Sequence, residues 1–183
     1  ENIQNSISTS PPNTPTPTEI TATSTPEPLP TLKPTNTSKV QQLSSLYRTT
    51  RINNYCEFSI DNISFAKKVL PPNTSGYYRY YEAPSGSVYL DIVFTVKNLD
   101  TTSIGADDII TLQVLYDNQY TYNSSPVLVD YEGDFTAAFY GLPPLVSFEI
   151  HHLVQLPAEV ESNSKSLEII IKASDQEFHY RYR

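Results

Sequence analysis

Apolar and polar residues alternate most regularly along VYLDIVFTV, residues 88–96. Successive side chains of a β-strand point to opposite faces, so a period of two is typical of a strand that buries one face. The turn-forming sequences PSG (84–86) and NLDTT (98–102) flank the segment and mark its ends. We therefore predict a strand here with one face in a core, and its apolar positions are Val88, Leu90, Ile92, Phe94 and Val96.

The same alternation recurs along the rest of the chain after residue 54. The segments are YCEFSIDNISF (55–65), IITLQVLY (109–116), YTYN (120–123), VLVDY (127–131), FEIHHLVQL (148–156), LEIIIK (167–172) and FHYRYR (178–183). The first of them slips register near Asp61–Asn62, and PAEVESNSKS (157–166) suits a single helical turn. Glycine and proline lie between the segments, where turns tolerate them. Short strands at this spacing predict an all-β fold, an antiparallel β-sandwich of about seven to nine strands.

Composition separates the beginning of the chain from the strand-rich remainder. Residues 1–40 contain eight Pro, ten Thr and five Ser, with no aromatic residue and no glycine. Such a segment buries too little apolar surface to offset the entropy of ordering its backbone, and its prolines favour extended polyproline II. We therefore predict a disordered Thr/Pro/Ser-rich linker over 1–45 and one domain over 46–183.

Charge and cysteine content narrow the functional classes. The domain carries −7 of the net charge of −8, so it lacks the basic surface of a nucleic-acid-binding protein. No apolar run approaches the roughly 20 residues that a membrane-spanning helix needs. The single cysteine, Cys56, excludes an intrachain disulfide, whereas a Thr/Pro/Ser-rich stretch is typical of stalks outside a cell. We expect no nucleic-acid partner and favour an extracellular location in bacteria.

A resemblance to a known family rests on two motifs. The run YYRYYEAPSGSVYLDIVFTVKNLD (77–100) is followed by YTYN, LPPL (142–145) and HLVQLPAEV (152–160). Together they resemble the telokin-like, immunoglobulin-fold domain of unknown function found in surface lipoproteins of Gram-positive bacteria. The most specific parts are the strand VYLDIVFTVKN (88–98) and the later VQLPAEV (154–160).

The resemblance implies an immunoglobulin-like sandwich held at the bacterial cell surface. In that family a lipid-anchored cysteine precedes a polar linker, which joins the anchor to the sandwich. That cysteine is absent from this chain, so membrane contact through an N-terminal lipid anchor is an inference from the family and the linker. The family carries no established activity or site residues.

The acidic segment DYEGD is one candidate binding site. Asp130, Glu132 and Asp134 lie at alternate positions around Gly133. Calcium loops space their ligands in this way because the ion needs about six to eight oxygens from a sharply turning chain. The alternative is a solvated acidic turn. We expect no cofactor, with calcium at this turn as the one alternative.

The tyrosine-rich segment GYYRYYEA (76–83) is the second candidate. In a regular strand Tyr78 and Tyr80 share one face, and Tyr77 and Tyr81 share the other. One pair then packs on the sandwich and the other stays exposed. With Tyr89, these rings are candidates for contact with a protein or for stacking against a sugar.

Candidate catalytic chemistry is sparse. The adjacent His151 and His152 point to opposite faces of a strand, so they cannot both bind one metal ion. His152 shares the apolar parity of its strand, which predicts a partly buried, hydrogen-bonded side chain. Cys56 has apolar parity too, and the sequence contains neither a G-x-S-x-G motif nor a glycine-rich phosphate loop. We predict no enzymatic activity.

Two functional hypotheses follow. The first is a non-enzymatic, surface-tethered binding or interaction domain of a bacterial extracellular lipoprotein, whose partner is a protein or a cell-envelope ligand. The alternative is a carbohydrate-binding module that uses the tyrosines as its platform. An exposed, planar row of tyrosine rings favours the alternative, and burial of those rings argues against it.

Overall fold

A computed structural model of the chain describes residues 40–138 and 140–183, and most of them lie in strands. In chain order the strands are β1 (Val40–Leu43), β2 (Thr50–Ile52), β3 (Cys56–Ala66), β4 (Lys68–Val69), β5 (Tyr81–Glu82), β6 (Ser87–Asn98), β7 (Ile104–Gly105), β8 (Thr111–Tyr116), β9 (Tyr120–Asn123), β10 (Ser125–Val129), β11 (Phe135–Ala137), β12 (Gly141–Leu142), β13 (Ser147–Pro157), β14 (Leu167–Ala173) and β15 (Gln176–Arg181). Two four-residue helices, α1 (Ala106–Ile109) and α2 (Glu159–Ser162), interrupt them. Among the described residues no helix is long and apolar enough to cross a membrane.

Two sheets contain the principal strands. The six-stranded sheet has the order β11–β10–β13–β6–β3–β2, and the five-stranded sheet has the order β1–β15–β14–β8–β9. Strands β3, β6, β13 and β10 take the A, B, E and D positions of an immunoglobulin domain, and β15, β14 and β8 take G, F and C. The fold is therefore an immunoglobulin-like β-sandwich, as predicted. Within residues 40–138 and 140–183, nine strands have four or more residues, and the additional ones are shorter.

The core lies between the two sheets, and β6 is central to it. All five apolar positions predicted for this strand are fully buried. Phe94 of β6 lies 6.2 Å from Phe58 of β3, and Phe58 lies 5.3 Å from Phe178 of β15, measured between ring centroids. These three rings join the sheets through edge and tilted contacts, which aromatic pairs prefer to face-to-face stacking.

The predicted register slip near Asp61–Asn62 is a β-bulge in β3. The pairing of β3 with β6 shifts between Ile60 and Asn62. The Asp61 carboxylate accepts hydrogen bonds from the hydroxyl groups of Ser59 at 2.7 Å and Thr95 at 2.6 Å. The extra residue is thus held by polar contacts within its own strand and with β6.

The outer face of the six-stranded sheet differs from the sequence prediction, because part of it is buried. Alternation places Asp91 and His151 on the solvent side, yet both are almost fully buried. A second apolar cluster covers them, and it consists of Val69, Val127, Val129, Phe135 and Leu153, with Ala66, Tyr81 and Tyr89 packed against it. The chain between β3 and β6 returns over the sheet through the β4–β5 pair. These strands have two residues each, so no alternating pattern predicts them.

The predicted boundary at residue 46 also differs from the structure. Residues 40–43, assigned to the linker, form β1, which pairs in parallel with β15 from Val40↔Glu177 to Leu43↔Tyr180. Its residues are mostly exposed because β1 is an edge strand, so apolar alternation cannot identify it. The remainder of the predicted linker, residues 1–39, lies outside the described residues.

Asn98 connects the end of β6 to two loops. Its side-chain amide donates hydrogen bonds to the carbonyl oxygens of Thr102 and Leu142, both at 2.8 Å. Its side-chain oxygen accepts the backbone N–H of Asp100 at 2.8 Å. The residue is fully buried, so every polar atom of this side chain is satisfied within the protein.

We expect Asn98→Ala to lower the free energy of unfolding by about 2–3 kcal/mol, because the buried Leu142 carbonyl and the Thr102 carbonyl would lose their donor. Urea denaturation measures this change. The matched control is Asn123→Ala at an exposed position of β9, which should change stability by less than about 0.5 kcal/mol. Equal effects of the two substitutions would contradict the structural role of Asn98.

Candidate functional site

The tyrosine-rich segment does not form the regular strand that its sequence predicted. Only Tyr81 and Glu82 of this segment lie in a strand, β5, whereas Gly76 and Tyr77 form a bend and residues 78–80 have no regular secondary structure. Tyr77 is 93 % exposed and Tyr80 is 49 % exposed, although the predicted parity puts them on opposite faces. The predicted parity was wrong here because alternation requires a regular strand, whereas the segment begins with Gly76 at a positive φ of 74° and stays irregular through residue 80.

The five candidate tyrosines do not make one flat surface. The rings of Tyr78 and Tyr80 are 6.4 Å apart and inclined at 58°. The ammonium group of Lys68 lies 3.8 Å from the centre of the Tyr80 ring and so occupies one face of that ring. Tyr81 packs on Phe135 at 5.6 Å, and Tyr89 packs against the second apolar cluster.

Arg79, between these tyrosines, closes the edge of the six-stranded sheet. Asp130 and Asp134 form a hydrogen-bonded pair through Asp130 N–H and Asp134 C=O at 2.9 Å, so by alternation the backbone groups of Phe135 point away from β10. The Arg79 guanidinium donates to the Phe135 carbonyl oxygen at 2.8 Å. The Asp134 carboxylate accepts the N–H groups of Phe135 at 2.8 Å and Arg79 at 2.9 Å.

The acidic segment 130–134 is a turn that binds its own backbone and the tyrosine-rich segment. One oxygen of Asp130 accepts the N–H groups of Glu132 at 2.9 Å and Asp134 at 3.0 Å. Asn73 donates its backbone N–H to Gly133 O and its side-chain amide to Glu132 O, both at 2.9 Å. In the part of the chain that the structure describes, no group of three or more His, Cys, Asp or Glu side chains is arranged to hold a metal ion.

A buried histidine–carboxylate cluster lies beneath the second apolar cluster. His151 Nδ1 is 2.9 Å from an Asp91 carboxylate oxygen, and its Nε2 is 3.3 Å from Glu149. Phe135 covers the imidazole with a ring separation of 5.0 Å. Burial lowers the pKa of His151, but hydrogen bonding and charge from Asp91 and Glu149 outweigh it, so the pKa lies above its usual value.

His152 lies on the opposite side of β13 and borders a cleft of about 320 Å³. Its Nδ1 is 2.9 Å from Ser124 Oγ, and its Nε2 is buried without a hydrogen-bond partner. Ser124 Oγ also lies 3.0 Å from the Leu112 carbonyl oxygen. A hydroxyl group that donates to Leu112 must accept from Nδ1–H, which leaves the Nε2 lone pair unpaired.

Ser124 and His152 are the residue types of a catalytic dyad, but His152 lacks the pKa and the orienting carboxylate that such a dyad needs. Burial, followed by the charge of His151, lowers the pKa of His152 to about 3. A general base works best with a pKa near the working pH, and an orienting carboxylate normally holds the second ring nitrogen. His152 has neither property. We therefore interpret it as a buried structural side chain that is held by its hydrogen bond to Ser124.

A second cleft, named here the aromatic cleft, has a volume of about 370 Å³. Its lining is mainly apolar and consists of Leu128, Asp130, Tyr131, Thr136, Tyr140, Gly141, Pro143 and Phe148. Leu128 and Phe148 also contact the main core, and Thr136 is paired with Leu128 across β10 and β11. The cleft therefore opens on the core-facing side of these strands, at the edge of the sheet.

Two exposed tyrosines line the aromatic cleft, and an exposed leucine lies close to its lining residues in sequence. Tyr131 is 83 % exposed with its ring 5.6 Å from that of Phe148, and Tyr140 is 56 % exposed. Leu145, two residues after Pro143, is 67 % exposed and has a φ of 66°. Turns prefer glycine or asparagine at such a positive φ, and a bulky side chain there strains the backbone. Of this set only Asp130 was predicted from the sequence, because the tyrosines of the cleft are distant in sequence from GYYRYYEA.

Comparisons with known proteins give the fold and no activity. An uncharacterized β-sandwich protein from Clostridium difficile 630 superposes with a TM-score of 0.74 at 25% identity, over 81% of this chain and 98% of that chain. A conserved hypothetical protein from Bacillus anthracis superposes with a TM-score of 0.48 at 10% identity, over 69% of this chain and 88% of that chain. No protein-family model matches, and no curated protein matches either.

We expect Arg79→Ala to loosen the edge of the six-stranded sheet and to lower the free energy of unfolding by about 1 kcal/mol, because the Phe135 carbonyl would lose its donor. Hydrogen exchange should accelerate across β11 and residues 71–80. The control is Arg48→Ala, an exposed arginine before β2, which should leave exchange unchanged. Unchanged exchange in β11 of the Arg79 variant would show that this contact does not hold the edge.

His152 should make the protein sensitive to acid. Its folded pKa lies below the unfolded value of 6.5, so its contribution to stability is present above pH 6.5 and is lost as the pH falls toward 3. Well below pH 6.5 this histidine should contribute a slope of about 1.4 kcal/mol per pH unit. Unfolding measured from pH 7 to pH 4 should therefore give a shallower slope for His152→Gln than for the wild type.

The matched control for that prediction is His179→Gln. Burial lowers the pKa of His179, but Glu177 and Glu168 outweigh burial and raise it. The stability due to His179 is thus present below pH 6.5 and lost as the pH rises through its folded pKa. If His152→Gln and His179→Gln changed the acid limb alike, the assignment of the acid sensitivity to His152 would be refuted.

Proposed function

We propose that this chain is a non-enzymatic, telokin-like immunoglobulin domain of a bacterial extracellular lipoprotein, and that it acts by binding a protein partner. The observation that carries the proposal is the aromatic cleft with its rim of exposed apolar side chains. Exposed apolar patches of this kind on a soluble domain are typical of interaction sites. Tyrosine is also enriched where proteins bind one another.

The strain at Leu145 supports a role for this surface. A leucine at positive φ costs about 1–2 kcal/mol relative to glycine, and burial does not compensate because the side chain is mostly exposed. Strained residues concentrate at functional sites, where the strained side chain has a use. An exposed leucine two residues after Pro143, which lines the cleft, is suited to contact with an apolar surface of another protein.

The composition of the cleft favours a protein over a sugar. A saccharide presents many hydroxyl groups, each of which needs polar partners, whereas the cleft contributes the side chains of Asp130, Thr136 and two tyrosines. One oxygen of Asp130 already accepts two backbone N–H groups. The carbohydrate alternative would use Tyr77, Tyr78, Tyr80, Tyr81 and Tyr89. Of these, Tyr78 and Tyr80 are tilted against each other, Tyr81 and Tyr89 pack in the second cluster, and Tyr77 alone is almost fully exposed.

Location and tethering are further parts of the proposal. A Thr/Pro/Ser-rich linker, predicted over the first 45 residues, would hold the domain away from a Gram-positive cell surface, with a lipid anchor ahead of it. The solved neighbour from Clostridium difficile is a bacterial β-sandwich protein, and nearly its full length aligns with this chain. We propose no nucleic-acid partner, because the chain is acidic, and no cofactor.

The absence of enzymatic activity is proposed from the two histidine sites. His151 has both ring nitrogens engaged by carboxylates and is covered by Phe135. His152 has a pKa of about 3 and a closed-off Nε2. Neither imidazole is available to exchange a proton with a bound substrate near neutral pH.

The experiment measures binding of the full chain to isolated Gram-positive cell envelopes, with and without protease treatment, beside a glycan array. We expect protease-sensitive binding that Tyr131→Ala weakens about tenfold, since one exposed aromatic anchor is lost. The control is Tyr77→Ala, which removes an equally exposed tyrosine outside the cleft. Glycan binding that depends on Tyr77 and not on Tyr131 would establish the alternative function instead.

Leu145→Gly separates binding from folding in the same assay. We expect this variant to be as stable as the wild type or up to about 1 kcal/mol more stable, because glycine adopts positive φ without strain. Binding should nevertheless weaken. A variant that binds normally would remove Leu145 from the proposed surface.

A further inference from the structure

We propose that the aromatic cleft binds an extended, proline-rich segment of a partner protein that carries a lysine or arginine next to its prolines. This inference rests on the proposed function and specifies the chemistry of its partner. It depends on three features of the described residues: a closed strand edge, exposed aromatic rings, and unneutralised carboxylates.

The closed edge excludes one common mode of peptide binding at the cleft. Strand β11 borders the cleft through Thr136 and is the outermost strand of its sheet. Three of its four outward-facing groups are already engaged: Asp134 accepts the Phe135 N–H, Arg79 donates to the Phe135 carbonyl, and the Tyr140 N–H donates to the Ala137 carbonyl at 3.3 Å. A peptide lying here therefore gains little from strand addition, which needs free backbone groups.

The remaining modes bind a peptide through its side chains. A helix lying in a groove needs anchors spread over two or more turns, and a cleft of about 370 Å³ is short for such a ligand. Polyproline II needs no backbone partner because it has no internal hydrogen bonds and its carbonyls stay solvated. Its proline rings dock into aromatic-lined grooves, and the cleft contains Tyr131, Tyr140, Pro143 and Phe148.

The hydroxyl group of Tyr131 adds a donor at the rim. It has no hydrogen-bond partner among residues 40–138 and 140–183, and the side chain is 83 % exposed. Polyproline II presents carbonyl oxygens at regular intervals, and a tyrosine hydroxyl can donate to one of them while its ring contacts a proline. Tyr131 thus combines the apolar face and the polar group that this ligand requires.

The carboxylates of the acidic turn indicate which residue the ligand carries beside its prolines. The turn that carries Tyr131 contains the carboxylates of Asp130, Glu132 and Asp134, and among the residues that the structure describes only Asp134 has a cationic neighbour, Arg79 at 3.9 Å. Asp130 itself lines the cleft. Two carboxylates without a cation at one end of an apolar slot favour a lysine or arginine on the ligand and disfavour an acidic one.

The test uses the full chain and a fluorescent peptide, Pro-Pro-Leu-Pro-Pro-Arg-Pro, in an anisotropy titration. Control peptides replace all prolines by alanine or the arginine by glutamate. We expect each control peptide to bind at least about tenfold more weakly than the parent peptide. The alanine peptide loses the preformed polyproline II conformation, and the glutamate peptide reverses the charge. Higher salt should weaken binding of the parent peptide, because it screens the attraction between arginine and the carboxylates, but it should not abolish binding, because apolar contacts are not screened.

Matched protein variants locate the peptide. Tyr131→Ala should weaken binding about tenfold, Tyr131→Phe should weaken it less because the ring remains, and Tyr77→Ala should have no effect. All variants carry the same residues 1–39, and equal urea midpoints verify that each is folded. Peptide binding that ignores Tyr131, or that is unchanged when alanine replaces proline, would overturn the inference.

The outcome is separable from the test of the proposed function. If the envelope partner depends on Tyr131 while no proline-rich peptide binds, the protein-binding function stands and the partner has another chemistry. If the chain binds glycans and binds neither an envelope protein nor the proline-rich peptide, the carbohydrate alternative takes the place of both proposals. Failure of Tyr131→Ala to alter any binding would remove the cleft from the function altogether.

Discussion

Burial of the apolar face of β6 between two sheets is the interaction on which the rest of this structure depends. Its five inward side chains are fully buried, and the strand pairs with β3 on one side and β13 on the other over most of its length. Because side chains alternate across a strand, a shift of one residue would expose the entire apolar face. This constraint sets the registers of β3 and β13, and the bulge at Asp61 lets β3 keep its apolar face inward beyond the irregularity.

The outer face of the same sheet follows a different rule. Asp91 and His151 lie at solvent-side positions of β6 and β13, and they are buried because the chain between β3 and β6 returns across them. An ionisable pair beneath an apolar cover is tolerated only when its polar atoms are hydrogen-bonded, as they are between these two side chains. Arg79 holds the cover in place by bonding the edge strand β11 and the acidic turn. The tyrosine-rich segment is thus held over the sheet by its central arginine as well as by the packing of its rings.

The surface offered to a partner arises where this covered sheet ends. Leu128, Thr136 and Phe148 face the core side of the sheet but lie near its edge, so the aromatic cleft opens there. The exposed Tyr131 lines this opening, and the strained Leu145 lies two residues after Pro143, which lines it too. Most outward-facing backbone groups of the neighbouring strand β11 are already engaged. The fold is shared with a Clostridium difficile β-sandwich protein, but fold does not determine function, and the inference rests on this local surface.

The sequence by itself determined the strands that bury one face, since period-two alternation reports burial directly. It identified β6, β8, β13 and β14, the register slip at Asp61, the burial of Cys56 and the sandwich class. Tertiary structure alone decided what depends on contacts between distant segments. The edge strand β1, the buried Asp91–His151 pair, and the meeting of Tyr131 with Phe148 leave no local periodicity, because their partners are far apart in the chain. Alternation specifies which face a side chain takes, and only the folded chain specifies whether another segment covers that face.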